Sequence, residues 1–470
     1  MATDARVDAP NAAYHQMADK WKLIHALVGG TAVMRAARTD WLPMEPKESY
    51  EAYERRLGRS VLFNALKDTI NKLTAKPFSV PIQIKGADAL PDQLAAIEDD
   101  ADMNGCTLTA VFRDGFWDKL EHGLTHYLVD YPQVGTGLNL LQEREAGIRP
   151  YIVRVSPRDL IGWRSERAAN GRDVLTQIRV KETRTEPVGA WGDAEVQYIR
   201  VYTRNTWEIH RRDPDSKEWA LVDSGTHTFG AIPLVTDYTR RTGVLTAEPP
   251  FEDLAWLNLD HWQKSSDQSN ILHHARVPMR FRKGFSREEL DKPMVIGAGS
   301  DVGTTNPNAD FKYVEPQGAA IQHGADDLAK IEERMQVLGS QPLIEAASAK
   351  TATEAGIGES RNSASIQSWI RGSEGAAEKC YRLAAKWIGA TLPDDFGIDI
   401  YSDFVTSLRA ADDVNAILNL MAQGQLSSET GLRELKRRGV LAETVDIAME
   451  MDAVAAAAPS FDVTEEPVAA

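Results

Sequence analysis

The chain has 470 residues, 43% of them hydrophobic and 26% charged, with a formal net charge of −16. That length exceeds one simple core and predicts two or three structural units, and no window approaches 18 uninterrupted apolar residues, which argues against a membrane span. The acidic balance argues against a protein that grips nucleic acid along a general basic surface, and two cysteines, Cys106 and Cys380, supply neither a disulfide framework nor a zinc cluster and fit a reducing cytoplasm.

The N-terminus, MATDARVDAPNAAYHQ, has neither a basic stretch nor an apolar one, so it does not read as a secretory signal. Residues 13–76 read as helices broken at Gly29-Gly30 and Pro43/Pro46. Within them Tyr53, Leu57, Val61, Phe63, Leu66, Ile70 and Leu73 follow helical spacing and predict one core-facing helix, followed by a strand from Pro77 to Ile84. Asp88–Asp102 reads as a polar helix after Pro91. Thr107–Leu124 reads as a stronger one, with Leu108, Val111, Phe112, Phe116 and Leu120 on one face.

From 125 to 240 the period changes to that of strands: 126–131, 151–155, 175–180, 196–202, and a hairpin of 206–210 with 219–222 around Asp213-Pro-Asp-Ser. Short turns between successive strands predict antiparallel pairing and an α+β fold. After Pro249-Pro250 the helical period returns. Phe251–Ala275 would span about 37 Å as a helix, with an unusually polar middle, HWQKSSDQSN. Residues 276–316 read as short extended pieces. Asp326 is expected to cap a helix carrying Leu328, Ile331, Met335 and Leu338. A loop is expected over 340–360, and a long helix from about Asn362 to Gly389.

That last helix has a seam of Ile366, Ile370, Ser373, Ala377, Cys380, Ala384 and Trp387, spaced by fours and threes to suit a neighbouring helix. Core packing inside one subunit and packing between subunits (Ile366, Ile370, Ala377, Ala384) are both open readings. One or two helices are expected over 412–448. The Ala/Pro/Glu-rich tail over 453–470 reads as disordered.

Motifs for chemistry are sparse. His122 and His126 stand four apart, but Glu121 precedes both, and Gly123 sits where a helix should end and a strand begin, which breaks the geometry two ligands on one helix need. His273-His274 are adjacent, and adjacent side chains diverge on a helix. No phosphate-binding loop and no nucleophile elbow is present. The reading is therefore no enzyme, no metal and no cofactor. One local charge feature stands out, the run ARVPMRFRKGFSRE with Arg276, Arg280, Arg282, Lys283 and Arg287. Alternation puts Arg280 and Arg282 on one strand face and Met279 and Phe281 on the other. The run could dock an acidic partner or be a solvated face.

The stretch WLPMEPKESYEAYERRLGRSVLFNALKDTINKLTAKPFSVPIQI resembles the N-terminal part of portal proteins of tailed double-stranded DNA bacteriophages, in the subgroup first described only as a domain of unknown function. Further segments follow in the same order: GLTHYLVDYP, RPYIVRVSPRDLIGWRSE, VLTQIRVKE, IPLVTDYTRRTGVLTAEPPFEDLAWLNLDHWQKSSDQSNILHHARVPMRF, FKYVEPQGAAI and the helix at 326–341.

The resemblance implies a ring at one capsid vertex, usually of twelve subunits, through which DNA is packaged and ejected. It implies a wing over 1–250, a stem helix over 251–275 and a clip over 276–316. A second stem helix over 317–341, a channel loop over 342–360, a long wing helix over 361–400 and a crown over 401–452 would complete the subunit. Implied partners are other copies of the chain, double-stranded DNA read without sequence specificity, the terminase large subunit, a head–tail adaptor and the major capsid protein. The location would be the virion, after assembly in the host cytoplasm. Lys350, Thr351 and Thr353 are the expected DNA contacts, and the basic run in the clip is the expected docking surface. The polar middle of the first stem helix would face a water-filled channel, whose acidic wall would let phosphates slide. Two rivals remain: another head structural or adaptor protein, and a cytosolic metal-dependent hydrolase built on His122 and His126.

Overall fold

A computed structural model describes residues 6–132, 147–276, 279–291, 303–314, 318–340, 352–402, 410–437, 440–441 and 445–457. The chain divides into two compact units, Met1–Ile400 and Tyr401–Ala470.

The first unit is α+β, as expected. It opens with helices α1 (Ala12–Val28), α2 (Thr31–Ala37), α3 (Tyr50–Arg59) and α4 (Ala65–Ala75), a short strand β1 (Gln83–Lys85), the one-turn helix α5 (Asp92–Ala95) and α6 (Leu108–His122). Each long helix starts on a side-chain cap: Asn11, Ser49, Asn64 and Thr107 accept from backbone N–H groups of the first turn. The single helix expected across 53–73 is two. Asn64 caps α4, the chain is extended at Ser60, and Val61 and Phe63 fall in the connection, exposed. Tyr53, Leu57, Leu66, Ile70 and Leu73 are buried as their spacing predicts. The polar helix expected over 88–102 shrinks to α5 and turns.

Strand β2 (Leu124–Asp130) pairs antiparallel with β3 (Tyr151–Val155) on one side and with β9 (Leu234–Tyr238) on the other. Between β3 and β9 runs a five-stranded antiparallel meander: β4 (Leu160–Arg167), β5 (Asp173–Val188), β6 (Gly192–Thr203), β7 (Thr206–Arg212) and β8 (Trp219–Thr226). The 213–218 turn joins β7 and β8 as expected. A core of Leu128, Val155, Leu160, Ile178, Val180, Tyr202, Ile232 and Leu245 joins the two sheets. A two-stranded pair, β10 (Arg241–Gly243) and β11 (Thr246–Ala247), leads out of β9.

The helical period then returns in α7 (Glu252–Arg276). Next come β12 (Met279–Lys283), the short α8 (Arg287–Asp291), β13 (Asp310–Val314), α9 (Gly318–Ser340) and α10 (Ala352–Trp387). Strand β14 (Gly397–Asp399) pairs with β1. Two of these helices start earlier than their sequence signals suggest. Asp326 lies inside α9, and α10 begins ten residues before Asn362. Once a long helix is anchored, each added residue brings a hydrogen bond without a new nucleation cost.

The second unit contains α11 (Ala410–Ala422), α12 (Ser428–Arg437) and α13 (Ile447–Ala457). The tail expected to be disordered from 453 is instead helical over 453–457, the end of α13, because its Ala-rich run propagates the helix; its remainder lies outside the described residues.

Candidate functional site

Helices α7 and α9 form an antiparallel pair. His261 Nε2 meets Glu332 Oε1 at 3.0 Å, Lys264 Nζ meets Asp327 Oδ2 at 3.0 Å, and Gln268 Nε2 donates to the Ile321 carbonyl at 2.8 Å. As the α7 residue number rises its α9 partner's falls, which fixes the direction. At Gly324 the missing Cβ leaves room for the Gln268 carboxamide, whose oxygen it would overlap. Ile331 and Met335 are buried, in the register that the sequence predicts.

The polar middle of α7 faces outward only in part: the Lys264 and Asp267 side chains keep 43% and 49% of their exposure, while others turn inward. Asn258, His261, Ser266 and Gln268 are all buried. Asn258 accepts from the Leu66 N–H at 3.1 Å and donates to the Phe63 carbonyl at 2.8 Å. Ser60 donates to Ser266 at 2.8 Å, and Arg59 donates to Asn270 at 2.8 Å. Arg56, itself buried, is clamped by Glu48 at 2.8 Å and reaches Asp267 at 3.4 Å. Burying so many polar groups is tolerable only because they are paired. Much of the polarity of this stretch therefore serves α3, α4 and α9. A longer run of exposed polar positions lies on α9, including Gln322, Asp326, Lys330, Glu333 and Arg334.

Between the two helices, β12 and β13 pair antiparallel, with Phe281 opposite Lys312 and Arg282 opposite Phe311. The basic run is not one uniform surface. Arg276, Lys283 and Arg287 are exposed. Arg282 turns inward and donates to the Glu289 and Leu290 carbonyls at 3.0 and 2.9 Å, closing the C-terminal end of α8. The other end of α8 is a capping box: the Ser286 and Glu289 side chains each accept from the other's backbone N–H. The signal for it, Ser286-Arg-Glu-Glu289, is legible in the sequence. The side chain of Arg280 lies outside the described residues. A cation that the sequence reading passed over joins the set, as Lys312 Nζ lies 5.4 Å from the Phe281 ring centre.

Of the expected DNA contacts, Lys350 and Thr351 lie outside the described residues. Thr353 falls in α10, not in a loop, and its side chain is likewise outside them. On α10 the seam residues Ile366, Ile370, Ser373, Ala377, Cys380 and Ala384 are all buried within the single chain. The helix packs on β2, β9 and β14, so these side chains serve the subunit's own core and are not available to a neighbour.

His122 and His126 do not converge. Gly123 ends α6 in the left-handed conformation (φ 91°), where a side chain would also overlap the Glu248 backbone. His126, on β2, bonds Thr236 Oγ1 through Nδ1 at 2.8 Å, and burial pushes its pKa down to about 3. A different set does gather: Asp118, Glu121 and His122 bring potential ligand atoms within 4.8 Å of one another, the one such group among the described residues. Arg154 pairs with Asp118, and His25 Nδ1 lies 3.4 Å from Glu121 Oε1. His122 Nδ1 is 3.0 Å from the Asp118 carbonyl. Burial raises the Asp118 carboxyl to about 6 and lowers the His122 imidazole. Asp118 already pairs with Arg154 and Glu121 with the His25 ring, so the group reads as a buried polar knot joining α6 to α1 and β3.

Residues 250–388, from the start of α7 to the end of α10, match the family described as "Domain of unknown function (DUF4055)". No curated protein matches the chain. Among solved structures, a chain from the neck of an empty gene transfer agent particle, computed with C6 symmetry, is similar at 12% identity. The similarity covers 80% of this chain and 89% of that one, with a TM-score of 0.46. A chain from the virion of a native gene transfer agent particle is similar at 12% identity, covering 78% and 87%, with a TM-score of 0.42. A chain from the neck of the native particle, computed with C12 symmetry, is similar at 11% identity, covering 79% and 89%, with a TM-score of 0.42. These are likenesses and no more.

Proposed function

We propose that the chain, which carries a DUF4055 domain over 250–388, is the subunit of a portal ring: a channel through which double-stranded DNA enters and leaves a phage or phage-like capsid. The observation that carries this reading is the antiparallel α7–α9 pair joined by the β12–β13 hairpin, lying inside the matched span. Two parallel-sided helices with a small strand-rich insert at their far ends form a stem and a clip. The ordered resemblance of segments outside that span extends the reading to the wing.

In this reading the ring is passive. A separate motor supplies the work, and the ring offers a wall, a few backbone-directed contacts and a docking platform. The wall would be formed by the mixed-charge exposed face of α9, not by the middle of α7. Lys350, Thr351 and Thr353 would meet the phosphates. Arg276, Arg280, Lys283 and Arg287, with Lys312, would present positive charge to the terminase and later to the adaptor. Arg282 would hold the clip together from inside. No catalytic role is assigned to any residue. Twelve copies, seated against the major capsid protein at one vertex of the virion after assembly in the host cytoplasm, complete the proposal.

Native mass measurement of the purified full chain, with negative-stain images of the same sample, tests it. The expected result is a closed ring with a central hole. A monomer or dimer that persists at high concentration overturns it.

A further inference from the structure

The β5–β6 hairpin turns through Gly189, Ala190 and Trp191, and the Trp191 indole is 100% exposed, with Val188 also exposed beside it. A tryptophan gains much by burial against a partner that also accepts from its indole N–H, which suits this tip to an interface. At the other end of the same sheet is a cavity of about 260 Å³ lined by Tyr131, Tyr202, Trp207, His227, Pro233 and Trp387. The Thr226 and Thr228 hydroxyls also line it and can accept from an indole N–H.

Trp191 and Tyr202 both belong to the β6 arm and are eleven residues apart, about 36 Å at the rise of a strand. The knob cannot reach the cavity of its own sheet. Charge adds a second match. Asp193 and Glu195, exposed beside the knob, have no cationic partner among the described residues. Lys386, beside the cavity, donates to the Phe229 carbonyl and meets no carboxylate among them.

We infer that Trp191 of one copy enters the aromatic cavity under Trp387 and Tyr202 of the next copy. The two surfaces differ and lie at opposite ends of one rigid element, so the contact is head-to-tail. Repeated, it generates a ring when the rotation closes. The contact presupposes the ring reading above and names the neighbour-to-neighbour grip within the wing.

Ala190 and Thr228 are both exposed, so cysteines at these positions leave the core intact. In a Cys106→Ser background, the full-length Ala190→Cys/Thr228→Cys variant should give, on mild oxidation, a covalent ladder of multimers that a reducing agent collapses. Each single-cysteine variant should give no ladder. Wild-type rings alongside a double variant that yields no ladder would overturn the contact and leave the ring reading standing. A wild-type chain that stays monomeric in the same buffer would overturn both.

Discussion

Lys119 Nζ lies 2.6 Å from Asp237 Oδ2, and neither side chain reaches solvent. The same ammonium donates to Ser373 Oγ at 2.7 Å and to the Trp369 carbonyl at 2.8 Å, while Ser373 donates to Asp237 at 2.6 Å. Four groups on α6, β9 and α10 thus satisfy one another in a dry core, and Gly372 leaves room for the carboxylate. This bonding ties α10, the last element of the matched span, to α6 and to strand β9.

Removing one partner leaves the other charge buried and unpaired, which costs about 3–5 kcal/mol. Lys119→Met alone should therefore lower unfolding stability by that order in urea denaturation. Lys119→Met combined with Asp237→Leu should recover most of the loss. A single variant within about 0.5 kcal/mol of wild type would contradict the role given to the pair.

Asp118 gives a pH signature. Its folded pKa is raised from 3.8 to about 6 by burial, against the pull of Arg154. Between those values the folded state binds the proton that the unfolded state releases. The contribution is therefore fully present below about pH 4 and lost as pH rises through about 6. Two pKa units correspond to about 3 kcal/mol. Denaturation curves of wild type and Asp118→Asn at pH 4 and pH 7 should diverge by that order, with the wild type relatively weaker at pH 7. Parallel pH profiles would contradict the assignment.

The arginines of the β12–α8 segment should separate by role. Arg282→Ala removes both bonds to the end of α8 and should speed hydrogen exchange in 286–291, with little need for a partner to see it. Arg287→Ala touches no such bond and should leave exchange unchanged, while the proposed salt-sensitive terminase contact should weaken several-fold. Equal effects of the two on exchange would show that Arg282 does not brace the end of α8.

Much of the fold was legible because period follows burial. The alternating runs became strands, and Gly123 ended α6 where the strand pattern began. What escaped the reading shares one cause: a local pattern cannot say what a polar residue will meet. Ser266 and Gln268, in the polar middle, looked channel-facing, yet partners at the end of α3 and on α9 draw them inward. Arg282 looked like its neighbours in a basic run, yet two carbonyls seven and eight residues on claim it. Val61 and Phe63 kept helical spacing across a break that Asn64, a capping residue, announces.

The inward polarity of α7 also bears on aim. A helix seated by apolar contacts alone can slip a turn or roll without losing much, because dispersion has no direction. Asn258, Ser266 and Gln268 each bind through atoms that tolerate little angular error, at three levels along the helix. Rolling α7 would break all three at once. Its azimuth is thereby fixed, and with it the heading of the hairpin that it carries.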